Sequence, residues 1–164
     1  MRKVLFLALA IAAAASAQPR DVYKVDFNIR DSGDAGGKTG RKYSLLVYSG
    51  NKGVFKIGNR VPVITGGTSG ANANTQFTYV DVGVNIDCSV QEASGRMGLR
   101  GDIDLSTAIL PDKAQQPAPA PTISQIRLAI ETSIPPGKPT VVASFDDPVT
   151  SRKFELEAVV TKVN

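Results

Sequence analysis

Residues 53–90 read GVFKIGNRVPVITGGTSGANANTQFTYVDVGVNIDCSV, and this stretch decides the fold. In its second half Val80, Val82, Val84, Ile86, Cys88 and Val90 are apolar, while Asp81, Gly83, Asn85, Asp87 and Ser89 are polar or lack a side chain. Successive side chains of a strand point to opposite faces, so this spacing predicts a strand with one apolar and one wetted face. In its first half Val54–Ile57 and Val61–Ile64 read as strand, with a bend or bulge at Gly58-Asn59. Pro62 has no N–H to give to a ladder, which places that run at a sheet edge or at a ladder interruption. The intervening Thr65–Thr75 is rich in Gly, Ser, Asn and Thr and predicts a mobile connector.

The same pattern extends in both directions. Tyr23, Val25, Phe27 and Ile29 alternate with Lys24, Asp26, Asn28 and Arg30, giving a half-buried strand. Residues 31–41 hold four glycines and predict a second mobile loop. Lys42–Tyr48 is apolar on both faces, as a central strand would be. Downstream, Met97, Leu99, Ile103 and Leu105 alternate with Arg100, Asp102, Asp104 and Ser106. Residues 111–121 (PDKAQQPAPAP) predict a third loop, stiffened by proline. Residues 122–134 admit two readings. Ile123, Ile126 and Ile130 fit a short helix capped by Thr122, whereas Ile126, Leu128, Ile130, Thr132 and Ile134 fit a strand. The β-branched content favours the strand. Thr140–Phe145 and Arg152–Val163 complete an all-β chain of about eight or nine strands, an antiparallel meander forming a sandwich or a partly closed barrel.

Arg2 and Lys3, the apolar run Val4–Ala15 and the small residues Ala15-Ser16-Ala17 have the grammar of a secretory signal peptide over residues 1–17. Residues 18–164 then form a single β domain. The leader takes two basic residues with it, so the 19 basic against 15 acidic residues of the whole chain become 17 against 15. No basic stripe with interleaved aromatics is present, and nucleic acid is not an expected partner.

The chain has no His, one Cys and no Trp. That excludes His-based acid–base chemistry, Ser-His-Asp triads, Cys-His dyads and zinc sites built on His and Cys. Cys88 has no partner for an internal disulfide and sits in the apolar phase of its strand, as a small buried hydrophobe. Asp31 and Asp34 do not match the spacing of a calcium loop. Asp102 and Asp104 share one strand face among other polar residues and read as a solvated face rather than a carboxylate pair flanking a cleft. Neither a catalytic centre nor a cofactor or metal site is predicted, and the chain is read as not an enzyme.

With the strands laid out, the order of phrases resembles the C-terminal core of bacterial secretins, the outer-membrane channel proteins of type II and type III secretion and of type IV pili. Val54-Phe55-Lys56-Ile57-Gly58-Asn59-Arg60-Val61-Pro62-Val63 is similar to that family's strand ending in Val-Pro-Val, and Thr65-Gly66-Gly67 to the Thr-Gly-Ser that often follows it. Phe77–Ile86 is similar to its Tyr-x-Asp-Val-Gly-Val segment. The resemblance covers roughly residues 42–145. It implies a cell-envelope location, in the periplasm or at the outer membrane. It also implies protein partners or self-association in a secretion or pilus assembly, and leaves membrane association open. It further implies a gate-like or interaction loop at Val61, Pro62, Val63, Thr65, Gly66, Gly67, Asn72 and Asn74, and a wall strand at Tyr79, Asp81, Val82, Gly83 and Val84. A second reading is a soluble periplasmic or secreted sandwich that binds a protein or a glycan through its long loops.

Overall fold

The computed structural model describes residues 20–31, 40–67, 75–109, 121–147 and 152–163. Among these residues lie eight strands and no helix: β1 (Val22–Asp31), β2 (Arg41–Tyr48), β3 (Lys52–Gly67), β4 (Thr75–Ala93), β5 (Arg96–Ile109), β6 (Thr122–Ile134), β7 (Thr140–Asp146) and β8 (Lys153–Val163). Residues 122–134 are therefore strand, as their β-branched content favours. The predicted signal peptide, Asn72, Asn74 and most of the three predicted loops lie outside the described residues. Thr65, Gly66 and Gly67 end β3 and Thr75 opens β4, so the strands reach further into the 65–75 stretch than its composition suggests.

The strands form two four-stranded antiparallel sheets, β2-β1-β8-β7 and β3-β4-β5-β6. Only the second is a meander. In the first, β8 returns along the whole of β1, from Val22↔Val163 to Asp31↔Phe154, and so sits between β1 and β7. The inner faces are those set by the alternation. Tyr23, Val25 and Phe27 are fully buried, and they meet Leu156, Ala158 and Val160 of β8 and Ile86, Cys88 and Val90 of β4 in one core. Met97, Leu99 and Ile103 of β5 with Ile130 and Ile134 of β6 complete it.

Two tight connections join the sheets. The Gly50 N–H donates to the Val90 carbonyl at 2.8 Å, and its φ of 72° is a conformation that glycine adopts without a Cβ clash. Across the molecule, Gly137 (φ 69°) donates to the Val160 carbonyl at 2.8 Å. At this end of the sandwich Tyr23 Oη also donates to Glu92 at 2.8 Å, and Lys162 Nζ lies 2.8 Å from Asp21. Burial, followed by the hydrogen bond to Glu92, pushes the Tyr23 phenol above its ordinary range.

Three expectations need correcting or sharpening. β2 is an edge strand, not a central one. Tyr43, Leu45 and Val47 pack inward, while Leu46 and Tyr48 lie on its outer face, 64% and 55% exposed. Apolar residues on both faces thus reflect an uncovered outer row. The β3 ladder runs unbroken through Gly58-Asn59, and its irregularity falls between Ile64 and Gly66. Pro62 does lie on an edge strand.

Candidate functional site

The sequence candidates converge on one structure. β4 pairs with β5 only from Val84↔Leu105 to Ala93↔Arg96, while β3 and β4 stay paired out to Gly67↔Thr75. β5 and β6 likewise continue as a pair to Ile109↔Thr122. The four-stranded sheet therefore forks beyond Val84 and Leu105 into two two-stranded ribbons. Val61, Pro62, Val63, Thr65, Gly66 and Gly67 form one strand of the β3–β4 ribbon. Of the residues read as a wall strand, Tyr79, Asp81, Val82 and Gly83 form the other, and only Val84 remains within the four-stranded part. Loop and wall are thus two sides of one element.

Direct cross-strand pairs share a face, so the register sorts the side chains. Val61↔Val80 and Asn59↔Val82 continue the core face of the sheet out along the ribbon. Arg60↔Asp81 and Pro62↔Tyr79 lie on the other face, where Tyr79 and Phe77 are 65% and 55% exposed. Arg60 Nε donates to Asp81 Oδ1 at 2.9 Å, an exposed pair that contributes little to stability. The hydroxyls of Thr65 and Thr78 lie 3.3 Å apart. A two-stranded ribbon with exposed apolar groups, such as Phe77 and Tyr79, is marginal in water.

Its base is built from residues that sequence patterning passed over. Gly58 and Gly83 are direct partners. A Cβ on Gly58 would lie 2.4 Å from the Val82 carbonyl oxygen, and one on Gly83 2.2 Å from that of Ile57. Gly83 has φ of 150°, where side chains are disfavoured. Its N–H donates to Ser106 Oγ at 3.0 Å, and Ser106 Oγ in turn donates to the Gly83 carbonyl at 3.4 Å. A crevice of about 390 Å³ opens at the fork, lined by Ile57, Val61, Val82, Ser106 and Ala108 among others. A second cavity of about 400 Å³ lies between the sheets at the same end, among Ile29, Tyr43, Leu105, Ile126 and Phe154, with the Asp31–Arg152 ion pair alongside. Two glycines facing one another across strands were the one signal in the sequence, and only the register reveals them as partners.

The outer faces of both sheets carry ion pairs beside their exposed apolar residues. Lys52–Asp87 at 2.7 Å, Arg100–Glu131 at 2.6 Å and Arg127–Asp104 at 3.1 Å cross the outside of β3–β6, and Arg30–Glu157 at 3.2 Å that of the first sheet. The hydrogen bond to Asp87 holds the Lys52 ammonium above its ordinary range. A lipid-facing barrel wall carries a continuous apolar band instead. No described helix is long and apolar enough to cross a membrane, which says nothing of crossing by strands. Among the described residues no group of three or more His, Cys, Asp or Glu is placed to hold a metal. Cys88 is 2% exposed, and burial pushes its thiol up to about 11.

These features define an antiparallel β-sandwich of two open sheets among the described residues, one of which has a forked end. No family model matches the sequence, and no curated protein does. Solved structures do. The chain is similar to the secretin-domain β-barrel of InvG from the Salmonella SPI-1 injectisome (TM-score 0.56, 12% identity), covering 88% of this chain and 62% of that one. It is similar to the Klebsiella pneumoniae type II secretion outer-membrane complex of PulD, PulS and the PulC HR domain (TM-score 0.53, 12% identity, 88% and 39% covered). It is also similar to the type II secretin GspD of enteropathogenic Escherichia coli (TM-score 0.52, 9% identity, 88% and 67% covered). The chain spans less than two thirds of the InvG chain that it matches. At such identities the likeness is one of fold: this chain has the fold of the secretin core, as the Val-Pro-Val and Asp-Val-Gly-Val phrases imply.

Proposed function

We propose that this chain is an exported, non-enzymatic protein of the cell envelope that works by contact, pairing with copies of itself or docking in a secretion or pilus assembly. The observation that carries this reading is the pair of edge strands, β3 and β6, with no neighbour on their outer sides among the described residues, in a chain that has the fold of the secretin core. In a four-stranded antiparallel meander the two outer strands run in opposite directions. β6 of one copy can therefore pair antiparallel with β3 of the next, extending the same ladder. Such head-to-tail pairing gives a ring when the rotation between copies closes. The InvG structures include one with the partners PrgH and PrgK, and the PulD complex contains PulS and PulC, which supports protein partners for this chain too. The signal-peptide grammar of residues 1–17 supports export, and the lack of histidine supports the absence of catalysis. In this reading Val61–Gly67, with Asn72 and Asn74, form the gate-like or contacting element, and Tyr79–Val84 is the strand that carries it.

The ion pairs on the outer faces favour a second reading, a soluble envelope sandwich that binds a protein or glycan through the loops at its forked end. Particle size separates the two. Residues 18–164, purified in detergent and in plain buffer, are expected to give a large, heat-resistant particle in at least one. A monomer in both, with envelope binding that disappears when residues 65–74 are deleted, overturns self-assembly in favour of the second reading.

A further inference from the structure

The register of the forked sheet carries an inference beyond its role in assembly. The β4–β5 ladder stops at Val84↔Leu105, although both strands continue past that point. Carried on without slippage, the same register would match Gly83 with Ser106, Val82 with Thr107, Asp81 with Ala108 and Val80 with Ile109. The backbone of Gly83 already faces β5, since its N–H and carbonyl are the groups that meet Ser106. By the two-residue alternation of an antiparallel ladder, the N–H and C=O of Asp81 and Tyr79 face the same way. What occupies the gap is a side chain: the Ser106 hydroxyl serves Gly83 as both acceptor and donor, the two bonds that the Ser106 backbone would supply in a continued ladder.

We propose that the fork is a seam with two positions, held open by Ser106 and able to zip shut through Val80/Ile109. In the open position Ser106 Oγ satisfies Gly83, and the crevice of about 390 Å³ separates the ribbons. In the zipped position the backbones of Gly83 and Ser106, and of Asp81 and Ala108, exchange hydrogen bonds directly. The crevice closes, and the β3–β4 ribbon swings towards β5. The sequence permits both. Ser106 would stand opposite a glycine and meet no side chain there. The Gly58/Gly83 pair lets β3 and β4 approach closely at the base of the ribbon, where a Cβ on either would meet the backbone of the other strand. The seam lies within one copy, so it stands or falls apart from self-assembly. It rests on the gate-like role of Val61–Gly67 only for its purpose, which is to move that element.

The test is disulfide trapping in the whole mature chain with Cys88→Ala as background. Val82→Cys with Thr107→Cys places thiols that meet only in the zipped position, and Val84→Cys with Leu105→Cys is the constitutive control. Adding Ser106→Ala leaves Gly83 unsatisfied in the open position, so the 82/107 disulfide is expected to form several-fold faster than with Ser106 present. The control rate should not change. If the control pair closes while 82/107 stays open, or closes no faster without Ser106, the seam is overturned. Amide exchange provides a second readout without engineered cysteines. Protection of the Asp81 and Ala108 amides should rise several-fold in Ser106→Ala. If it falls or does not change, Ser106 is a fixed pin and not a latch.

Discussion

Replacing Gly83 with alanine tests whether ribbon and sandwich are separate units of stability. The new Cβ would lie 2.2 Å from the Ile57 carbonyl oxygen and 2.5 Å from Gly58 Cα. Both contacts are to backbone, so β3 and β4 must part by about 1 Å to regain ordinary van der Waals spacing. The φ of 150° adds about 1–3 kcal/mol for a residue with a side chain. Losing the two nearest ladder bonds adds about 1 kcal/mol each. The local penalty is therefore about 3–5 kcal/mol, summed from those two sources. A bare two-stranded ribbon is itself only marginally stable, so the chain relieves the penalty by letting the ribbon open. The global loss is then limited to what the ribbon contributes, about 1–2 kcal/mol. Amide hydrogen exchange read beside urea unfolding distinguishes the two levels. The amides of Asn59, Val61, Val80 and Val82 should lose most of their protection. Those of Val25, Phe27, Ile86 and Cys88 should keep theirs, with only a small fall in the urea midpoint. A global loss of the full local penalty, with ribbon and core amides losing protection together, would refute the reasoning and make the ribbon part of the core's cooperative unit.

Two further outcomes follow from burial. Phe27→Ala removes a fully buried ring from the middle of β1 and should cost about 3–5 kcal/mol, whereas Leu46→Ala, on the outer face of β2, should stay within about 0.5 kcal/mol. Equal shifts of the two variants in thermal unfolding would contradict the inward and outward assignment of these strands. The Cys88 thiol is raised from its ordinary 9.0 to about 11, first by burial and then by Asp87. Because the folded value is the higher, the unfolded chain ionises first. The contribution is complete below pH 9 and is lost as pH rises from 9 to 11, by about 2–3 kcal/mol. Urea unfolding at pH 8 and pH 11 should show an alkaline loss smaller by that amount in Cys88→Ala, and an identical loss in both proteins would refute it. The Tyr23 phenol adds its own alkaline sensitivity, but equally to both, so the difference isolates the thiol.

What could be read from the sequence was local. Tyr23, Val25, Phe27 and Ile29 alternate without exception, and every one is buried, because a strand's period of two is written directly into its residues. β4 was legible for the same reason, and the missing N–H of Pro62 narrowed its strand to an edge or an interrupted ladder, of which the structure has the edge. Pairing between distant strands was not legible. Nothing in Lys153–Val163 says that it lies between β1 and β7, since its inner face is apolar whichever strands flank it. β2 misled because Leu46 and Tyr48 look like core residues, and exposure depends on whether anything covers them. The fork was hidden more deeply. Gly58, Gly83 and Ser106 come from three strands, and their meaning lies in a register that periodicity does not fix across loops.

The two ends of the sandwich also differ in what they allow. At one end Gly50 and Gly137 bond across to Val90 and Val160, and Tyr23 ties β1 to the end of β4 through Glu92. Any displacement there breaks hydrogen bonds next to fully buried side chains, so that end is the fixed frame. At the other end β4 has already parted from β5, and a single hydroxyl, that of Ser106, bridges Gly83 to β5. A change at the fork disturbs one side chain and two backbone groups while leaving the core rows from Val84 to Val90 in register with β5. Pairing through β3 and β6 would use edges that run along both regions. Neighbouring copies could then be held together beside the fixed frame, while the outer ribbons remain free to respond to one another.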